Sequence, residues 1–384
     1  MKVAISTLVT PVDKSGIGNY VTNLLDALRR IDNENEYHVF IGRDTKHLFK
    51  LGAPNFHPVI LPISHDPRLL MRPMYYLWQN SLAFFYFKQY GIDVLHLPNL
   101  LPLLIRFVPT VITIPDLTEY KVSKYSTVRQ SYRKAILPLV ARKASRVITI
   151  SHNTKNELVT LTGISEEKID VTYLASSIPS SNLATSAGMA SVLERYGVKS
   201  KYVLYVGKML PHKNLRRLIE AFAILRRGYQ IPHRLVLVGK KDRNTFCLME
   251  LAKELAVGDQ IVLTGYVPDS DLPAIYKGAS LFVFPSISEG FSIPVLEAMT
   301  CGIPVVTSNV SSLLEVAGDA AVLVDPFSAQ AIADGIWLVL RDEKTRRDMT
   351  YKGQEQAKRF TWEKCAQQTL SSYHKALEQP RKLI

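Results

Sequence analysis

Cysteine is scarce in this 384-residue chain, and Cys247, Cys301 and Cys365 are widely spaced and odd in number. That excludes a disulfide framework and a thiolate metal site, and makes a reducing cytoplasm the simplest home. Long apolar runs are missing too, since none approaches the roughly 20 residues that a membrane-spanning helix needs. The most apolar piece, Met74 to Phe87, is interrupted by Gln79-Asn80-Ser81, so it reads as a buried helix or as one lying against a membrane surface. At the N-terminus a single lysine precedes an apolar run that Pro11 and Asp13 break, which is too short for a signal peptide. Acid is in deficit: 47 Lys and Arg stand against 34 Asp and Glu, a formal charge of +13. Much of the excess is local, because Lys121, Lys124, Arg129, Arg133, Lys134, Arg142, Lys143 and Arg146 have no acid among them. Such a stretch favours an anionic partner. No DNA- or RNA-binding module is visible, so nucleic acid is not expected. Anionic lipid head groups or a pyrophosphate-linked lipid acceptor are the favoured partners, with a merely solvated basic face as the bland alternative.

What is present is an alternation of strands and helices in two halves. Strands are expected at Val3 to Ser6, Tyr37 to Ile41, Asp93 to Leu97, Val111 to Ile114 and Val147 to Ile150. A second series follows at Tyr202 to Val206, Leu235 to Val238, Ile261 to Thr264, Leu281 to Phe284, Val305 to Thr307 and Ala321 to Val324. Each half opens on the same device, strand to glycine-bearing loop to helix, once at Gly16-Ile17-Gly18-Asn19 and once at Gly207 to Asn214. The alternation implies an α/β protein with two doubly wound parallel sheets. The expected boundaries are 1–175 for the first domain, 176–200 for a Ser/Ala/Thr/Gly-rich linker with one short helix, 201–360 for the second domain and 361–384 for a last helix.

The stretch Leu281 to Pro326 organises the second half. Its apolar opening has the content of a buried parallel strand, and it breaks into the loop Ser286 to Phe291. Ser292 suits an N-cap, Pro294 suits a first helical turn, and Gly302 with Pro304 stops the helix. A helix start facing a glycine-containing loop at a sheet's carboxyl edge is a seat for phosphate. Glu289 lies in that loop and Glu297 about one turn into the helix; both can accept from sugar or ribose hydroxyls, or one can be solvated and the other paired within its helix. Lys208 and Lys213 put two cations on the loop after the first strand of the second domain, where a diphosphate leaving group needs them, unless both are simply solvated. Gly16 and Gly18 allow close backbone approach to phosphates or serve a tight turn. His96 ends a strand, where it either faces the crevice or is structural.

The segment around Glu289 and Glu297, with Glu-Ala-Met-x-x-Gly-x-Pro-Val-Val at the second, Gly318-Asp319-Ala320-Ala321 and Asp325-Pro326 downstream, resembles the E-x7-E signature of the retaining GT-B glycosyltransferases of family 4. The resemblance spans nearly the whole chain and is densest at 202–326. It implies two Rossmann-like domains facing a central cleft, the last helix crossing back from Phe360-Thr361-Trp362. It also implies transfer of a hexose from a nucleoside diphosphate sugar to an acceptor hydroxyl, by front-face attack with retention and no metal or other cofactor. Through Leu97-Pro98-Asn99 and the second-domain motifs the chain is similar to bacterial mannosyltransferases of surface-polysaccharide assembly. GDP-mannose is then the expected donor, a glycan or lipid-linked glycan the acceptor, and the cytoplasmic face of the plasma membrane the place. Carried over, Glu289, Lys213 and Asp116 are catalytic. Gly16, Gly18, Gly207, Lys208, Lys213 and Asn214 contact the diphosphate, Gly265-Tyr266-Val267 the base, and Glu297 the ribose. Glu289-Gly290-Phe291-Ser292 contacts the sugar and phosphate, while His96, Asn99 and Asn19 are acceptor-side candidates. Pro115 stands where many relatives have a sugar-contacting histidine, Lys208 where many have arginine, and Ala175 where glycine is frequent. A donor-binding protein without transfer, or a nucleotide-sugar epimerase, stays open beside this.

Overall fold

The computed structural model describes residues 1–8, 16–63, 77–100, 106–121, 127–178 and 186–378. The chain divides into two compact units, Met1–Leu174 with Thr361–Ile384, and Ala175–Phe360.

In the first unit β1 (Lys2–Ser6), β2 (Glu36–Gly42), β3 (Phe56–Leu61), β4 (Val94–Leu97), β5 (Thr110–Ile114), β6 (Arg146–Thr149) and β7 (Ile169–Val171) form one parallel sheet in the order β3-β2-β1-β4-β5-β6-β7. The inner strands are buried along their length, which is why they read as unbroken apolar runs. Two edge strands escaped the sequence reading. β3 contains Pro58 and exposes half of its residues, and β7 has only three residues. The helix Gly16–Ile31 lays Tyr20, Val21, Leu24, Leu25 and Leu28 on the core. The last helix, Trp362–Glu378, packs beside it.

That last helix is fastened by polar contacts within the first unit. Asp170 accepts from Arg146 at 2.6 Å, Lys375 at 2.8 Å and Ser372 at 2.9 Å. Arg146 is therefore committed to a buried ion pair, a correction to its expected place in a lipid-facing basic stretch. The guanidinium beside Asp170 helps hold its carboxyl below the usual range, against the burial that opposes this. Deeper in, His96 is fully buried; its Nδ1 lies 2.8 Å from the Tyr373 hydroxyl and its Nε2 2.9 Å from Thr113 Oγ1, which Tyr20 also reaches at 3.1 Å. Burial lowers its pKa to about 3, so the ring stays neutral. Tyr373→Phe removes one partner of a buried ring nitrogen and is predicted to cost about 1–3 kcal/mol. An unchanged urea midpoint would refute that role.

The second unit repeats the plan. Its strands are β8 (Tyr202–Val206), β9 (Arg234–Val238), β10 (Ile261–Gly265), β11 (Leu281–Phe284), β12 (Val305–Ser308) and β13 (Val322–Val324), all parallel, in the order β10-β9-β8-β11-β12-β13. The segment 176–200, read from composition as a linker, contains the helix Ser186–Arg195, which packs on the helix Leu272–Lys277 and pairs Arg195 with Asp271 at 2.9 Å. Strand order reverses between β8 and β11, the switch point beside which such sheets bind ligands.

Candidate active site

The second unit's site is built at that switch point from the loops after β8 and β11. β8 ends at Gly207, whose φ of 154° disfavours a side chain, and where a Cβ would come within 2.9 Å of the Tyr205 hydroxyl. Tyr205 is fully buried, stacks on Phe284 of β11 and donates to the Lys208 carbonyl at 3.0 Å. The loop is thus held from beneath, while the Lys208 side chain stays exposed. A short turn, Pro211–Lys213, follows. The His212 carbonyl accepts from the Ile287 amide at 2.8 Å and the Ser286 hydroxyl at 3.0 Å, joining the two loops.

Across this seam Lys213 Nζ meets Glu289 Oε1 at 2.6 Å, and the same ammonium lies 5.1 Å from the centre of the Phe284 ring. Both side chains are mostly buried, at 16% and 10% exposure. Glu289 is fixed through its backbone as well: its amide donates to Ser311 Oγ at 3.0 Å, and its carbonyl accepts from Ser311 at 2.8 Å and Ser312 at 3.0 Å. Residues 76 apart in sequence are therefore one unit of charge. Spacing along the chain gave each a role but not their contact.

Two expected roles change. Asn214 does not offer its side chain to a ligand; it is 3% exposed and donates to the Pro285 carbonyl at 3.0 Å and the Pro326 carbonyl at 2.6 Å. It takes a left-handed conformation, φ 62°, ahead of the helix Leu215–Gly228, and ties three loops together, Asp325-Pro326 included. Ser292 is no N-cap. It is left-handed, φ 84°, and its buried hydroxyl has no partner among the described residues, so the helix Ile293–Thr300 begins without a side-chain cap. The strained serine turns the Gly290–Ser292 backbone sharply into the helix.

Glu297 is 6% exposed in that helix. Its carboxylate accepts from the Tyr276 hydroxyl at 2.9 Å and from the Ser177 backbone. Burial raises its pKa from 4.5 to about 7, outweighing those hydrogen bonds. Tyr276 and Tyr205 were invisible to sequence reasoning, since a buried tyrosine under a loop has no spacing signature. Phe291 is a core residue, 2% exposed and edge-on to Phe360 at 5.6 Å, so only its backbone is offered to a ligand. Gly265 is left-handed, φ 76°; Val267 is buried, while Tyr266 is 68% exposed. Gly239, which the sequence reading passed over, closes this edge: a Cβ there would lie 2.1 Å from the Gly207 carbonyl oxygen.

In the first unit the candidates lie in or after three neighbouring strands, β1, β4 and β5. Gly16 and Gly18 form the first turn of the helix Gly16–Ile31, Gly16 exposed and Gly18 buried, with Asn19 half-buried behind them. The rest of the expected glycine loop, 9–15, lies outside the described residues. His96, closed into its buried network, has no ring edge left for an acceptor, which corrects that assignment. Asp116 is half-buried and accepts from the Thr118 amide at 3.1 Å, and Asn99 accepts from the Leu100 amide at 2.7 Å.

Two family models match: residues 14–175 fit Glycosyltransferase Family 4 and residues 194–356 fit Glycosyl transferases group 1. O-antigen chain mannosyltransferase B of Escherichia coli is 32% identical over 386 residues, covering 97% of this chain and 99% of that protein. The chain belongs to glycosyltransferase family 4. Among solved structures, sucrose-phosphate synthase from Thermosynechococcus elongatus superposes with a TM-score of 0.76 at 21% identity, covering 97% of this chain and 98% of that one. Anabaena HepE in complex with UDP-glucose gives 0.73 at 19%, covering 97% and 100%. These two bear on fold, which is GT-B. In this glycosyltransferase the E-x7-E pair separates into a loop carboxylate held by a lysine and a buried helix carboxylate held by a tyrosine. Among the described residues no helix is long and apolar enough to cross a membrane.

Proposed function

We propose that this glycosyltransferase moves mannose from GDP-mannose to a hydroxyl of a glycan or lipid-linked glycan in bacterial polysaccharide synthesis, with retention and without a metal or other cofactor. The observation that carries the donor half is the convergence of Lys213 with the Glu289–Ser292 loop at the carboxyl ends of two adjacent strands. Lys208, Lys213 and the amides of Gly290 to Ser292 hold the diphosphate, and the unpartnered Ser292 hydroxyl adds a donor. Glu297 takes the ribose hydroxyls on the lone pairs that Tyr276 and Ser177 leave. Tyr266 lies beside the base. Glu289 orients Lys213 and accepts from the sugar. The C1–O bond to the diphosphate breaks as the acceptor oxygen bonds C1 on the same face, and the acceptor's proton passes to the departing phosphate oxygen. The choice of mannose rests on the likeness to the O-antigen mannosyltransferase, and GDP as the nucleotide is part of the proposal.

On the first unit Asp116, Asn99 and Asn19 serve the acceptor. Leu77, Leu82 and Phe85, 64%, 55% and 69% exposed, and separately the exposed Lys134 and Lys143, are offered to anionic lipid at the inner surface of the plasma membrane. Lys121, Lys124, Arg129 and Arg133 belong to the same basic stretch; 124 lies outside the described residues. A thermal-shift panel of nucleotide sugars tests the donor. GDP-mannose should raise Tm most and, with acceptor, release GDP at a rate that added Mg2+ leaves unchanged. A shift from UDP sugars alone would overturn the donor assignment, and tight binding without nucleotide release would overturn transfer.

A further inference from the structure

A second group of ligating side chains lies on the outer strands of the first unit's sheet. Parallel register sets His38 of β2 beside His57 of β3, and the two-residue period of a strand puts Glu36 on the same face as His38. One ligating atom from each of the three lies within 4.8 Å of the others, and the two imidazole centres are 5.1 Å apart. His38 is 5% exposed; its Nδ1 lies 3.3 Å from the Tyr86 hydroxyl, and its Nε2 is buried without a hydrogen-bond partner among the described residues. An orphaned buried ring nitrogen beside a second imidazole and a carboxylate is a strong pointer to a missing electrophile.

We propose that Glu36, His38 and His57 bind a divalent transition-metal ion of the zinc class, clipping β3 to β2. Two nitrogens and one oxygen suit such an ion, with water at the fourth position. Donation from His38 Nδ1–H to the Tyr86 hydroxyl leaves Nε2 as the free lone pair, the usual arrangement for a ligating histidine. His57 is exposed and Glu36 half-exposed, so both can rotate the short distance that bonds of about 2.0–2.2 Å require. Lys2, 3.3 Å from Glu36 Oε2 in a half-exposed pair, is the group an entering dication displaces. The clip steadies an edge strand that is interrupted by Pro58 and exposes its outer backbone.

The test uses the full chain without an affinity tag, stripped with chelator and titrated calorimetrically with ZnCl2, then with Co2+ under an absorption spectrometer. Wild type should take up one Zn2+ per chain, gain Tm, and give with Co2+ the intense visible bands of four-coordination. His57→Ala, at an exposed position, should keep its metal-free melting curve, bind Zn2+ at least about tenfold more weakly and lose the Co2+ bands; Glu36→Ala should weaken binding as well. Substoichiometric uptake by wild type, or equal Zn2+ affinity in wild type and His57→Ala, would overturn the proposal.

Discussion

Lys213→Ala is predicted to lower kcat roughly 10²- to 10³-fold, the usual consequence of removing one preorganised donor from a site of developing negative charge. Negative charge grows on the leaving phosphate as the bond to C1 breaks, and the Lys213 ammonium, buried between Glu289 and the Phe284 ring, is already desolvated and fixed where it is needed. Little reorganisation is then required during transfer. Because Lys213 and Glu289 are one charge unit at 2.6 Å, their effects should not add. Glu289→Ala alone should also cost activity, and on the Lys213→Ala background it should cost much less than it does in wild type. Steady-state kinetics of nucleotide release on the four members of the cycle, with melting curves as the folding control, provides the check. Additive losses, or a kcat for Lys213→Ala equal to wild type, would leave the pair a structural tie.

The second large effect is on pH dependence. Glu297 is pushed up to about 7 by burial, and ribose hydroxyls donate well only to its ionised form. Donor affinity should therefore be full above pH 7 and fall as pH drops below it, approaching tenfold per pH unit once the protonated form dominates. The sign for stability is the reverse of that for an ion-paired carboxylate. The folded pKa lies above the ordinary 4.5, so the burden of the buried charge is present above pH 7 and is relieved as pH falls from 7 towards 4.5. The diphosphate of a nucleotide sugar is esterified at both ends and does not titrate in this range, which leaves Glu297 as the group that is read. Glu297→Gln should bind donor weakly at pH 8 and with a flat profile from 6 to 8. Calorimetry in buffers of different ionisation enthalpy would also detect proton release on donor binding to wild type near pH 7. A sloping profile that persists in Glu297→Gln would assign the titration elsewhere.

Much of the fold was legible because a parallel strand covered on both faces must be apolar throughout, and Val203-Leu204-Tyr205 or Phe282-Val283-Phe284 can hardly be anything else. Edge strands obey no such rule, and Phe56–Leu61, with Pro58 inside and half of its residues exposed, carries no such signal. With β3 unseen, the pairing of His38 with His57 was unseen too, since only register brings them together. In the site, the spacing of Glu289 and Glu297 was plain, but what each carboxylate touches was not. Lys213 reaches Glu289 through the meeting of two loops, and Tyr276 reaches Glu297 from a different helix. Ser292 and Asn214 stand at helix starts as their residue types suggest, yet each adopts a left-handed turn without a side-chain cap, and the surrounding packing must offset the cost. His96 sits at a strand end, where crevice residues are expected, but its neighbours Thr113 and Tyr373 close over it.

The most direct measurement is a crystal structure of the full chain with GDP bound. The account predicts the β-phosphate within about 3 Å of Lys213 Nζ and of the backbone amides of the 290–292 turn, with the ribose hydroxyls on Glu297. A nucleotide whose diphosphate lies away from Lys213, or whose ribose makes no contact with Glu297, would contradict it.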